Sequence, residues 1–160
     1  MRQCGAEGTS MPARTIYLIK RLEVAIRLML EKELMDLDLT PSQYTTLSML
    51  AANGETSSSD LARRVLVTPQ SMSEMIKALD RKGLIKRRES EVNRKVLDIA
   101  LSPAGRALLE KAEARVDALE AAMFGAIAPD ELNVLRDRLV TVLAADRLGR
   151  DKKTRRTQVA

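Results

Sequence analysis

Histidine and tryptophan are absent from the 160 residues, cysteine occurs once, at Cys4, and aromatic side chains are limited to two tyrosines and one phenylalanine. Each gap removes a class of chemistry. Without histidine there is no Ser-His-Asp or Cys-His nucleophile pair and no imidazole ligand for a metal, and one cysteine makes neither a zinc ribbon nor an internal disulfide. With so few aromatics, Leu, Val, Ile, Ala and Met must fill the interior, which favours helices over an aromatic-rich β-sandwich. The seven glycines are scattered and form no phosphate-cradling loop. Long apolar runs are missing as well: residues 1–15 hold no signal-peptide core, and the run at 121–128 is far too short to cross a bilayer. The absences together imply a cytoplasmic, non-enzymatic protein without catalytic group, cofactor or metal, no membrane association, and a reduced thiol at Cys4.

What is present is helical pattern and localised charge. Hydrophobic residues make up 45% of the chain and charged residues 31%, and the length suits a single domain by the prior of roughly 150 residues each. Lys and Arg number 27 against 22 Asp and Glu, yet the imbalance sits in one place, because residues 81–95 hold seven basic side chains and two acidic ones. A concentrated basic stretch points to a polyanionic partner more strongly than a diffuse excess does. Its two carboxylates, Glu89 and Glu91, show no sign of burial and suggest no acid/base role.

Residues 1–13 and 149–160 are polar and aperiodic and read as mobile tails. Between them, Ile16, Ile19, Leu22, Ile26, Met29, Leu30 and Leu34 recur at helical spacing and predict a first helix over 14–37. Thr40-Pro41 starts a second helix by the cap-then-proline signal, and Asn53-Gly54 stops it. Ser57, with Asp60 three positions on, opens a short third helix to about Val65. Thr68-Pro69 opens a fourth, with Met72, Met75, Ile76 and Leu79 on one side, and Gly83 closes it. Extended segments at 84–88 and 96–101, joined by polar residues, form a basic hairpin. Ser102-Pro103 begins a long helix through Phe124, and a final helix after Ala128-Pro129 carries Leu132, Leu135, Leu139, Val142 and Leu143.

A short helix, a turn at Leu66-Val67, a longer helix and a basic hairpin form the order of a winged helix-turn-helix. The fold expected is therefore mainly α: a lobe at 40–101 with a two-stranded β wing, plus dimerisation helices at 14–37 and 103–148, which carry more apolar surface than so small a lobe can cover. A helix fits the major groove of DNA with its N-terminal residues nearest the base edges. Thr68, Pro69, Gln70, Ser71 and Ser73 occupy that stretch, and Ser57 at the start of the shorter helix joins the candidate set. Lys77 and Arg81 lie lower, at phosphate height, and Lys86, Arg87 and Lys95 would follow the backbone while Arg94 enters the minor groove. The same wing could instead serve structured RNA or a protein partner.

The runs LARRVLVTPQSM at 61–72, ALDRKGLI at 78–85 and LSPAGRAL at 101–108 resemble the multiple-antibiotic-resistance regulator (MarR) family of bacterial transcription factors. The resemblance spans about residues 14–148. It implies a homodimer in which the first and the last two helices of each subunit interlock, two winged lobes on the halves of a pseudo-palindrome, and repression relieved by a small aromatic or lipophilic ligand in a cleft. Two departures stand out. Members often brace the wing arginine with an Asp, where this chain has Asn93 beside Arg94 and Glu91 nearby. Many also place Gly in the helix-turn-helix turn, so Leu66 would be strained in a left-handed backbone and predicts a different turn.

Overall fold

The computed structural model describes residues 14–89 and 97–157, so the N-terminal tail with Cys4 and the wing tip with Arg94 and Lys95 lie outside the described residues. Six α-helices follow in chain order: α1 (Thr15–Leu34), α2 (Pro41–Asn53), α3 (Ser58–Val65), α4 (Pro69–Arg81), α5 (Pro103–Phe124) and α6 (Pro129–Thr157), with one 3-10 turn, Met35–Leu37, after α1. Strands β1 (Thr56–Ser57), β2 (Ile85–Glu89) and β3 (Leu97–Leu101) complete the list. The chain divides into two compact units at Asp117–Ala118, within α5.

In the first unit, the helix starts are held by the capping residues that the sequence marks. The Thr40 hydroxyl accepts from the Gln43 N–H at 3.2 Å while the Gln43 side chain accepts from the Thr40 N–H at 3.2 Å, a complete capping box. Ser57 and Thr68 accept from the N–H of Asp60 and Ser71. Ser102 accepts from the Gly105 N–H and donates to the Gly83 carbonyl, tying the start of α5 to the turn after α4. Each such cap contributes about 1 kcal/mol by satisfying a donor that the helix leaves free. Gly105 is required by close approach, since a Cβ there would lie 1.9 Å from the Leu84 carbonyl oxygen. The core beneath is aliphatic: Leu34, Leu47, Leu61, Met72, Leu79, Ile99 and Ala112 are buried, contributed by every helix of the unit and by β3.

The structure extends two sequence expectations and corrects one. The expected two-stranded wing is present as β2 and β3, and β1 adds a third strand to its antiparallel sheet, in the order β1-β3-β2, with Thr56 opposite Ile99 and Arg87 opposite Ile99 from the other side. A two-residue strand is too short to show alternation, so β1 has no sequence signature. The turn between α3 and α4 is left-handed at Leu66 despite its side chain (φ 62°, ψ 38°). The N–H groups of Leu66 and Val67 both reach the Ala62 carbonyl, closing the end of α3, and these bonds offset the roughly 1–2 kcal/mol that an L side chain costs there. Finally, α6 continues through residues 149–157, a stretch whose aperiodic polar composition carries no helix signal. Gly149 is the sole Gly or Pro after Pro129 in that helix, and once a helix is nucleated, each added residue gains a backbone bond.

The second unit holds the end of α5 and α6. Arg136 of α6 pairs with Glu120 of α5 and donates to Asn133 at 3.2 Å. Val140, Val142 and Leu143 stay exposed along α6, as do Ile16, Tyr17 and Ile19 along α1 in the first unit. Among the described residues no helix is long and apolar enough to cross a membrane.

Candidate nucleic-acid interface

The inner side of α4 is fixed by Met72, Ile76 and Leu79, all buried. At about 100° per residue this sets the opposite, outward row as Gln70, Glu74, Lys77 and Arg81, with Ser73 and Asp80 on one flank and Ser71 on the other. Thr68, Pro69, Gln70, Ser71, Ser73, Lys77 and Arg81 are all exposed. The structure therefore brings the helix-borne candidates onto one solvent face. Their side chains are not equally free, however. Thr68 and Ser71 share a hydroxyl–hydroxyl bond of 2.8 Å in addition to the cap, whereas Gln70, Ser73, Lys77 and Arg81 have no side-chain partner among the described residues.

Ser57 is spent inside the lobe. Its hydroxyl accepts from the Asp60 N–H and donates to the Asp60 carboxylate at 2.7 Å, and its backbone lies opposite Asp98 in the sheet. The Ser57 hydroxyl, followed by Arg63 one turn on, holds the Asp60 carboxyl below the usual aspartate range. Both bonds favour the charged form.

In the wing, period-two alternation separates residues that the sequence reading had placed together. Arg87 turns toward α4, where its guanidinium pairs with Asp80 at 3.0 Å. Lys86 and Arg88 project from the other face, and Arg88 meets Glu55 at 3.4 Å. On that face they line a groove of about 550 Å³ together with Leu50, Leu101, Arg106 and Glu110. Lys86 thus stands apart from the α4 row, and Arg87, expected at a phosphate, is engaged as a link between wing and helix. Sequence reasoning missed this link, although Asp80 and Arg87 seven positions apart across a Gly83 turn offered a signal. A second link holds the other end of the unit: Lys82 reaches both the carbonyl and, at 2.9 Å, the carboxylate of Asp38. Arg115 of α5 donates to the Glu33 carbonyl at 2.8 Å.

The arrangement is an exposed helix with free amide and hydroxyl groups near its start, cations toward its end, and a basic hairpin anchored beside it. Such a face can place hydrogen-bonding groups in the major groove while cations meet phosphates. A family model described as MarR family matches residues 37–95. The HTH-type transcriptional repressor Rv2887 of Mycobacterium tuberculosis is 35% identical over 105 residues, which cover 66% of this chain and 76% of that protein. In fold, the chain is similar to the transcriptional repressor CouR bound to a 23-mer DNA duplex, with a TM-score of 0.75 at 24% identity over 81% of this chain and 92% of that one. It is likewise similar to CouR from Rhodococcus jostii RHA1 bound to p-coumaroyl-CoA, with a TM-score of 0.73 at 25% identity over 79% of this chain and 89% of that one.

Proposed function

The chain belongs to the MarR family of transcriptional regulators, and on that premise we propose that it is a repressor that binds a pseudo-palindromic double-stranded DNA site as a homodimer and is released by a small ligand. The observation that carries this reading is the solvent face of α4, where Gln70, Ser73, Lys77 and Arg81 stand exposed and unpartnered among the described residues. Gln70 suits adenine through two hydrogen bonds, and Ser73, Thr68 and Ser71 offer hydroxyls to neighbouring base edges. Lys77, Arg81 and Lys95 neutralise phosphates, while Arg94 enters the minor groove. The role is regulatory rather than catalytic.

Dimerisation is supported by the apolar residues left exposed on α1 and α6, among them Ile16 at 73% and Leu143 at 52% relative exposure. A dimer joined through those faces has to hold two α4 helices about 34 Å apart, one turn of DNA, to read both half-sites. Ligand relief is supported by the groove beside Lys86 and Arg106, whose apolar wall and mixed charges, Glu55 and Glu110 included, suit a small organic ligand, and by the ligand-bound relative. A thousandfold loss of DNA affinity needs a ligand that favours the unbound form by about 4 kcal/mol.

Selection of bound fragments from random duplex DNA tests the reading. The expected product is a motif with twofold symmetry, its half-sites about 10 base pairs apart. Arg81→Ala should lessen the salt dependence of binding by about 2 in log–log slope, one for each subunit. No enrichment, or structured RNA bound as tightly as the selected duplex, would overturn it in favour of an RNA or protein partner.

A further inference from the structure

The outward row of α4 contains one residue that the charge of the lobe does not explain. Four acidic side chains are described between Thr40 and Arg88, and three of them are ion-paired: Glu55 with Arg88, Asp60 with Arg63, and Asp80 with Arg87. The fourth, Glu74, is exposed and has no cationic partner among the described residues. It sits one turn beyond Gln70 and one turn before Lys77, in the middle of the row that faces outward. On a surface that meets phosphates, a free carboxylate repels, and the repulsion is offset only where it finds a donor.

Only two base edges in the major groove present an amino donor, the N4 group of cytosine and the N6 group of adenine. Adenine sets its N7 acceptor beside that amino group, which repels a carboxylate and suits an amide instead. Cytosine has no such acceptor on its own edge. Resting on the DNA-binding reading above, we infer that Glu74 is a specificity-determining residue that accepts a hydrogen bond from a cytosine amino group within the half-site read by Gln70. The four residues from Gln70 to Glu74 rise about 6 Å along the helix, which places the two contacts within roughly two base-pair steps of each other. Because the carboxylate also repels the phosphates of unmatched DNA, Glu74 weakens non-specific binding while it selects the matched site.

Selections from random duplex DNA with the full-length wild type, Glu74→Ala and Glu74→Gln test this. Glu74 is exposed, and circular dichroism checks that each variant keeps its helical content. In the wild-type motif one position of each half-site should be cytosine, preferred about tenfold over the other bases. Glu74→Ala should relax that position alone and raise affinity for unrelated duplex severalfold, and Glu74→Gln should move the preference toward adenine. An enriched wild-type motif that both variants reproduce unchanged would overturn the role of Glu74 and leave the DNA-binding reading intact. Absence of any wild-type motif would overturn both.

Discussion

Two amphipathic regions of this chain meet different fates. In α4 the apolar stripe of Met72, Ile76 and Leu79 is buried within its own unit, and the polar side faces solvent, so the helix needs nothing further to be stable. In α1 and α6 apolar residues also recur along the helix, yet Ile16, Ile19, Val142 and Leu143 remain exposed, and α1 contributes only Leu34 to the buried core. Apolar helical residues therefore end once in a closed core and twice on an open face. The difference shows that amphipathicity specifies a buried side without specifying whether the cover belongs to the same chain. It also fits the proposed dimer, in which the exposed faces of the flanking helices are covered by a second copy while Leu34 of α1 and Ala112 of α5 complete the core of the lobe.

The largest expected effect lies on the closed side. Leu79 has 0% relative exposure, and Leu79→Ala should lower unfolding free energy by about 3 kcal/mol in a denaturant titration. A loss under about 1 kcal/mol would show that the lobe core is looser than its burial implies and would blur the contrast with α1. Next comes the open side. Ile19→Asp should leave the lobe folded but raise the dissociation constant of the proposed dimer about thirtyfold, equivalent to about 2 kcal/mol, as read by analytical ultracentrifugation. An unchanged association would mean that the open face of α1 is not what joins two copies. The smallest effect tests the turn between α3 and α4. Leu66 is left-handed and 47% exposed, so Leu66→Gly should relieve backbone strain and raise stability by about 0.5 kcal/mol, net of the extra freedom glycine has when unfolded. A loss of stability instead would show that the Leu66 side chain packs well enough to outweigh the strain.

Much of the lobe was legible because its signals are local. Thr40-Pro41, Ser57, Thr68-Pro69 and Ser102-Pro103 mark helix starts through chemistry that acts within three residues, and all four serve as caps in the structure. The exposed side of α4 followed from the same periodicity that buries Met72 and Leu79. The pairings were not legible. Lys86, Arg87 and Arg88 look alike in a row, but strand alternation sends Arg87 to Asp80 and Arg88 to Glu55, and a basic count cannot tell a cation engaged in an ion pair from an unpaired one. Glu74 escaped notice for the converse reason, since its lack of a partner is visible only once the neighbouring carboxylates are seen to be taken.

Composition and spacing by themselves determined that this is a helical, histidine-free chain with a winged reading head, because caps, turns and amphipathic periods act over a few residues and need no distant partner to be expressed. Tertiary structure alone decided that β1 joins the wing sheet, that Leu66 adopts a left-handed turn, and which of several similar arginines is engaged. Those outcomes depend on groups far apart in sequence competing for the same space and the same charge, and that competition is settled only when the backbone brings them within a few ångströms of one another.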